Sequence, residues 1–100
     1  MQLREIAHTR TGDKGNRSTL TVIAHDAKDF ARLETQLTAE RVQAHYDGIV
    51  RGRVERFALP QLGALQFVLY EALAGGVTRS LALDAHGKTL SSHLLKLEIN

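Results

Sequence analysis

Strand-type and helix-type segments alternate along this chain, and the alternation restricts its fold more than any other feature. The firmest strand candidate is residues 18–25, because 19–24 is a run of β-branched and apolar residues. Weaker strand candidates lie at residues 2–8, 50–58 and 77–83. Only 100 residues are present, which suffices for one domain but not for a doubly wound sheet with many crossovers.

Helix signals separate these strand candidates. Asp26 can cap a helix whose apolar residues recur at spacings of three and four, and Thr38 can cap a second helix that is expected to end at Gly48. Pro60 is expected to stop the strand at 50–58 and to open a third helix, which Gly75 would terminate. The apolar stripe of that third helix would consist of Leu62, Leu65, Leu69, Ala72 and Leu73.

The end of the chain fits two structures. Leu90, Leu94 and Leu97 have helical spacing, whereas Leu95, Leu97 and Ile99 alternate as in a strand, and the helix is favoured. A turn is predicted at residues 84–87. Together these elements predict an α/β (α+β) two-layer sandwich of the ferredoxin-like class, with a small mixed sheet covered by helices on one face.

Composition excludes several classes of function. The chain has no cysteine, which removes disulfides, thiolate nucleophiles, zinc fingers and iron–sulfur clusters and fits a reducing compartment. A net charge of +2 does not indicate nucleic-acid binding, and no aromatic residue falls among basic residues in the way that the stacking platform of a single-strand binder requires. Neither a signal peptide nor a membrane span of about 20 apolar residues is apparent, so a cytoplasmic protein is expected.

The strongest candidate for a binding site is the polar segment 9–17, which is interpreted as a loop. Its two glycines could let backbone N–H groups converge on an anion, with added positive charge from basic side chains. Alternatively, the segment is a tight connection between two strands, in which the side chains of Asp13 and Asn16 stabilise a turn. The candidate ligand-binding residues are Arg10, Gly12, Asp13, Lys14, Gly15 and Asn16, with Arg17 adding charge.

A second glycine-containing segment lies where a predicted helix meets a predicted strand. Its candidate ligand-binding residues are Gly75, Gly76, Thr78 and Arg79. Arg79 has the strand parity of Val77 and Leu81, so its guanidinium needs either a ligand anion or an internal carboxylate as its partner.

The five histidines do not predict a metal site, because none has the spacing that directs two imidazoles at one ion. No metal or other cofactor is expected. His8 and His25 are candidate general bases, since each ends a predicted strand near the glycine-containing segment; alternatively they are exposed strand-end histidines.

Five segments together resemble a known family. They are RTGDKGN at 10–16, LTAERV at 37–42, VRGRVERF at 50–57, LPQLGALQFVL at 59–69 and GGVTRSL at 75–81. In order and spacing they are similar to the C-terminal domain of the acyclic terpene utilisation protein AtuA. The resemblance implies a ferredoxin-like domain, here encoded separately from the larger AtuA domain, and a setting in the breakdown of acyclic terpenes or branched acyl-CoA thioesters.

Three functions are compatible with these features. The first is a non-catalytic accessory module that partners an AtuA-type large subunit and binds an anionic group through 10–17. The second is a small hydratase, lyase or isomerase acting on acyl-CoA thioesters, with Asp13 or His8 as the base and Arg79 or Lys14 holding an anion. The third is a structural interaction domain. A homo-oligomer is plausible, because a sheet with one helical layer often covers its other face with a neighbouring subunit.

Overall fold

The computed structural model describes residues 1–14, 17–46, 52–70 and 94–99, with the backbone alone at positions 13 and 14. The strands are β1 (Ala7–Lys14), β2 (Arg17–Ala24), β3 (Val54–Leu59) and β4 (Ala64–Tyr70), and the helices are α1 (Phe30–Gln36) and α2 (Ala39–His45). Single 3-10 turns occur at Leu3–Glu5, Ala27–Asp29 and Pro60–Leu62. In this part of the chain, no helix is both long and apolar enough to cross a membrane.

The four strands form one sheet in the order β1-β2-β4-β3. Each neighbouring pair is antiparallel, so the described strands do not include the parallel pair that a mixed sheet requires. Both β2 and β3 run opposite to β4, which lies between them, and the two helices connect β2 to β3. This is a split β-α-β unit, and the predicted two-layer α+β architecture is confirmed.

The third helix predicted from Pro60 onward is wrong. Pro60 does end β3, but it opens only a 3-10 turn that closes at Gly63 with φ 63°, and the chain then continues as β4. Leu65, Phe67 and Leu69 are fully buried and alternate with half-buried residues, as in a strand with one core-facing side. Leu62, Leu65 and Leu69 have helical spacing, whereas Leu65, Phe67 and Leu69 alternate as in a strand, so periodicity did not separate the two structures.

The loop predicted at 9–17 is also wrong, as is the strand predicted at 2–8. Leu3–Glu5 is a 3-10 turn, and β1 begins at Ala7 and pairs with β2 from Ala7↔Ala24 to Lys14↔Arg17. Among the described strands β1 lies at the edge of the sheet, where polar residues such as those of 9–14 are tolerated and protect against unwanted strand pairing. The strand predicted at 18–25 is confirmed within one residue.

The cap predicted at Thr38 is confirmed, whereas Asp26 caps the 3-10 turn Ala27–Asp29 that leads into α1, and the N-cap residue of α1 itself is Asp29. The Asp26 carboxylate accepts a hydrogen bond from the backbone N–H of Lys28 at 3.0 Å, and the Thr38 hydroxyl accepts one from that of Arg41 at 3.1 Å. The helices cover one face of the sheet and form the core with it. The core residues they share with β2 and β4 are Leu33, Leu37, Val42, Tyr46, Leu20, Val22, Leu65, Phe67 and Leu69. The predicted helix end at Gly48 lies outside the described residues.

Arg56 of β3 lies on the helix-covered face and joins the two layers. Its guanidinium donates hydrogen bonds to the backbone carbonyls of Glu34 at 2.9 Å and Leu37 at 3.1 Å. These carbonyls belong to the last turn of α1, which has no further helical N–H groups to satisfy them. The contact therefore identifies which face of β3 the helices cover.

The two predictions for the end of the chain are both partly confirmed. Leu94 and Leu95 are helical, and Glu98 then forms an antiparallel bridge with Gln2. The N–H of Leu3 donates to the carbonyl of Leu97 at 2.8 Å, which joins the first and last described segments. The strand predicted at 77–83 and the turn predicted at 84–87 lie outside the described residues.

Candidate functional site

The face of the sheet opposite the helices is the candidate site, and we call it the open face. No described helix covers it. Residues directly across from each other in antiparallel strands share a face, so the register assigns its members. They are His8, Arg10 and Gly12 of β1, Arg17, Thr19, Thr21 and Ile23 of β2, Ala64, Gln66, Val68 and Tyr70 of β4, and Glu55, Phe57 and Leu59 of β3.

One cross-strand row of the open face combines a cation, two polar side chains and an aromatic ring. Arg10 pairs with Thr21, Thr21 with Gln66, and Gln66 with Phe57. The Gln66 amide donates to the Thr21 hydroxyl at 3.5 Å, which is a long and weak contact. Arg10 is exposed, and Phe57 retains 47% of its surface to solvent.

A second group of side chains lies nearer the end of the sheet at which β2 begins and β4 ends. The guanidinium carbon of Arg53 lies 4.1 Å above the centre of the Tyr70 ring. Glu55 accepts a hydrogen bond from the Tyr70 hydroxyl at 2.8 Å and forms an ion pair with Arg53 at 3.6 Å. Arg17, the pairing partner of Tyr70, is exposed. The negative charge of Glu55 is thus compensated by Arg53 and by the Tyr70 hydroxyl.

The charge balance of the open face is therefore positive. Glu55 is the only carboxylate among the described positions of this face, and Tyr70 and Arg53 engage it. Within the described part of the chain, the guanidinium groups of Arg10 and Arg17 form no hydrogen bond or ion pair with protein groups. Two uncompensated cations on one face create a positive potential that attracts anions.

The predicted anion site requires backbone N–H groups of 10–17 that point toward one spot, and the backbone of β1 does not have that geometry. Residues 10–14 are extended, so successive N–H groups point in opposite directions, and those directed at β2 belong to the ladder. The Gly12 carbonyl accepts from the hydroxyls of Ser18 and Thr19, each at 3.3 Å. Any anion held by the described part of 10–17 would therefore meet arginine side chains rather than a nest of amides.

The backbone places the remaining residues of the first segment as follows. Asp13 pairs with Ser18, and Lys14 pairs with Arg17 at the end of the hairpin. Gly15 and Asn16, which connect the two strands, lie outside the described residues, as do all four candidates of the second segment: Gly75, Gly76, Thr78 and Arg79.

The two candidate general bases lie together, but away from the glycines. The rings of His8 and His25 stack with centroids 5.5 Å apart and planes 21° apart. His8 precedes Gly12 by four strand residues, which is about 13 Å along β1 and beyond hydrogen-bond reach. No group of three or more potential metal ligands occurs among the described residues.

Tyr46 is a titratable residue of a different kind, because it belongs to the core. Its side chain is fully buried. Burial raises the pKa of Tyr46 well above its ordinary range, and a hydrogen bond with the backbone of Leu94 opposes this effect. The shift reflects packing between α2 and the end of the chain rather than a reactive site.

Sequence reasoning missed most of the open face. Glu55 and Phe57 lie in a segment that was correctly predicted as a strand, and their period-two spacing could have placed them on one face. Gln66 and Tyr70 carried no such signal, because their segment was assigned to a helix. Arg10 and Arg17 were identified, although their local structure was not.

Comparison with known proteins agrees with the resemblance seen in the sequence. The model of one family, the AtuA ferredoxin-like domain, matches residues 1–100, the whole length of the chain. No curated protein and no solved structure matches it. The four-stranded antiparallel sheet with two helices is consistent with the ferredoxin-like fold in that description. The chain belongs to the AtuA ferredoxin-like domain family.

Proposed function

We propose that this domain is a non-catalytic accessory module that binds an anionic group on the open face, beside the β1-β2 hairpin. The observation that carries the proposal is the pair of exposed arginines, Arg10 and Arg17, which have no protein partner among the described residues. Arginine is suited to this role, because its guanidinium is always charged and can form two parallel hydrogen bonds with a carboxylate or a phosphate.

The spacing of the two arginines suits a single small anion. Arg10 pairs with Thr21, and Thr21 lies four residues from Arg17 on β2. The strand spacing and rise place the two Cα atoms about 14 Å apart. Both long side chains can turn toward a point between them, above Thr19 and Thr21. The Thr21 hydroxyl accepts from Gln66 and can still donate its own hydrogen to an anion.

The open face favours a binding module over an autonomous enzyme. It is a sheet surface, so an anion on it would remain largely in contact with water. Catalysis by electrostatic stabilisation needs charged groups in a site from which water is excluded. His8, a candidate base on the same face as Arg10, has its ring stacked on that of His25, and no described residue encloses the two. A second surface would have to enclose the anion, which supports a partner.

We propose an AtuA-type large subunit as that partner. The basis is the family resemblance, which also suggests acyclic terpene or branched acyl-CoA catabolism as the setting and the cytoplasm as the compartment. Co-expression with a candidate large subunit tests the pairing, because the two chains should then copurify. A purified domain that by itself turns over an acyl-CoA thioester would contradict the accessory role and support the enzyme alternative.

Anion binding is tested separately with inorganic pyrophosphate as the probe, by calorimetry or by NMR titration. An exposed ion pair contributes at most about 1 kcal/mol, so removing each arginine should weaken binding about fivefold. The test variant is Arg10→Ala with Arg17→Ala. The control variant, Lys28→Ala with Arg32→Ala, removes the same charge from exposed positions outside the sheet.

Equal losses of pyrophosphate affinity in both double variants would mean that net charge, and not the open face, attracts the anion. Unchanged affinity in the test variant would also overturn the proposed site and would favour a purely structural interaction domain. Added salt should weaken binding to the wild-type domain, because exposed charges are screened. Light scattering of the domain alone tests the predicted homo-oligomer.

A further inference from the structure

Phe57 is an exposed aromatic ring for which the described part of the chain offers no packing reason. It lies in the middle of β3, on the open face, with 47% of its surface exposed. Its pairing partner Gln66 is polar, and its neighbours on the same side of β3 are Glu55 and Leu59. An exposed aromatic surface on the same face as uncompensated cations combines two features that recognise nucleotides, since bases stack on rings and phosphates bind arginine.

We infer that the anion bound on the open face is the phosphate end of a nucleoside diphosphate whose base stacks on Phe57. The inference rests on the proposed function and names the ligand class for the same site. Phe57 and Arg10 occupy the two ends of one cross-strand row, with Gln66 and Thr21 between them.

The row has the dimensions and the chemistry that this ligand requires. Three strand spacings separate the Cα atoms of Arg10 and Phe57, which amounts to about 14 Å. A base on Phe57 places the sugar above the Gln66 amide and the Thr21 hydroxyl, both of which can form hydrogen bonds with sugar hydroxyls. The Arg10 side chain then reaches inward to the diphosphate, and Arg17 approaches it from the hairpin end.

The position of Glu55 sets the direction of the ligand. Glu55 lies two residues from Phe57 on the same side of β3, whereas Arg10 and Arg17 lie on β1 and β2. A phosphate directed toward β3 would meet the Glu55–Arg53 ion pair, which has no net charge, whereas one directed toward β1 would meet the uncompensated arginines. The base therefore binds at the β3 edge and the phosphates at the β1 edge.

Among the described residues the open face offers one exposed phenyl ring as a stacking platform, which favours a single nucleotide over a single-stranded nucleic acid. Arg53 covers the Tyr70 ring at 4.1 Å, and Glu55 holds the Tyr70 hydroxyl, so that ring face is occupied. Of the other rings on the described part of this face, His8 already stacks on His25, and Phe57 remains. Proteins that bind single strands stack successive bases on several rings.

A second copy of the chain is a poorer occupant for the same face. Two open faces packed against each other would bring together two sets of uncompensated arginines. Like charges in a contact oppose association. The charge of the face thus complements an anionic ligand and not itself.

The experiment compares ADP, adenosine and inorganic pyrophosphate as probes for the wild-type domain and for Phe57→Leu. Stacking on one ring should make ADP bind about tenfold more tightly than pyrophosphate to the wild-type protein. Phe57→Leu should remove that difference and leave pyrophosphate binding unchanged, because leucine keeps the apolar character without the ring. Leu62→Ala is the control, since Leu62 is an exposed apolar residue outside the open face. Thermal unfolding verifies that both variants fold.

The outcomes separate the two proposals. If ADP and pyrophosphate bind equally well to the wild-type domain, and both lose affinity in the double arginine variant, the base contact is refuted and the anion site stands. If neither probe binds, both proposals are refuted. If an oligoadenylate of five nucleotides binds more than about tenfold more tightly than ADP, the ligand of the open face is a single-stranded nucleic acid, and the inference of a single nucleotide is overturned.

Discussion

Alanine substitutions along residues 62–69 distinguish the observed strand from the helix that leucine spacing predicts. In the structure, Phe67 has no exposed surface and packs in the core, whereas Leu62 in the turn before β4 is 69% exposed. In a helix starting at Pro60, Leu62 would belong to the buried stripe and Phe67 would not. The two variants Phe67→Ala and Leu62→Ala should therefore differ strongly in their free energy of unfolding.

The expected magnitudes follow from burial. Truncating a buried phenylalanine costs about 3–5 kcal/mol, which for a domain of this size lowers the Tm by at least about 12 °C. Because full burial of a leucine contributes about 1.5–3 kcal/mol, the fraction of Leu62 that is buried limits the cost of Leu62→Ala to below about 1 kcal/mol. The loss at Phe67 is large compared with the total stability of about 5–15 kcal/mol of a typical domain.

Urea unfolding followed by circular dichroism measures both losses. Leu65→Ala serves as a positive control, because Leu65 is buried in the strand and would also be buried in the helix. It should cost about 2–5 kcal/mol under either structure. A Leu62→Ala variant as unstable as Leu65→Ala, together with a Phe67→Ala variant close to wild type, would refute the strand.

Three further changes in stability follow from particular contacts. Burial raises the pKa of Tyr46 in the folded protein, so as the pH rises this phenol loses its proton in the unfolded chain before it does in the folded one. The contribution of Tyr46 to the free energy of unfolding is therefore unchanged below about pH 10 and falls above it by up to about 1.4 kcal/mol per pH unit. Urea midpoints at about pH 9 and about pH 11 measure that slope, and Tyr46→Phe should reduce it. Gly52→Ala should cost about 1–3 kcal/mol in a thermal melt, because its Cβ would lie 2.6 Å from the Tyr70 carbonyl oxygen; a wild-type Tm would contradict this close approach. Thr38→Ala should cost about 1 kcal/mol by losing the cap of α2, whereas Thr38→Ser should keep it, and equal urea midpoints for these two variants would argue against the cap.

For the candidate site, sequence reasoning identified charges but not their arrangement. Arg10 and Arg17 were recognised from their position around two glycines, and their charge is a property of the residues themselves. Their relation to Phe57 depends on pairing between β1, β2, β4 and β3, and the pair Thr21↔Gln66 alone joins residues 45 positions apart. No pattern within 9–17 or 50–58 contains that information.

The sequence by itself determined the local features of this protein: the β-branched strand at 18–25, the caps Asp26 and Thr38, and the stop at Pro60. Each depends on the conformational preference or hydrogen bonding of a few adjacent residues. Tertiary structure decided the rest. Segment 64–70 became a strand because β2 and β3 flank it and satisfy its backbone groups, and the polar segment 9–14 became a strand because β2 offered it an open edge. Such pairing energy arises only between distant segments, and the same pairing produced the cationic and aromatic open face.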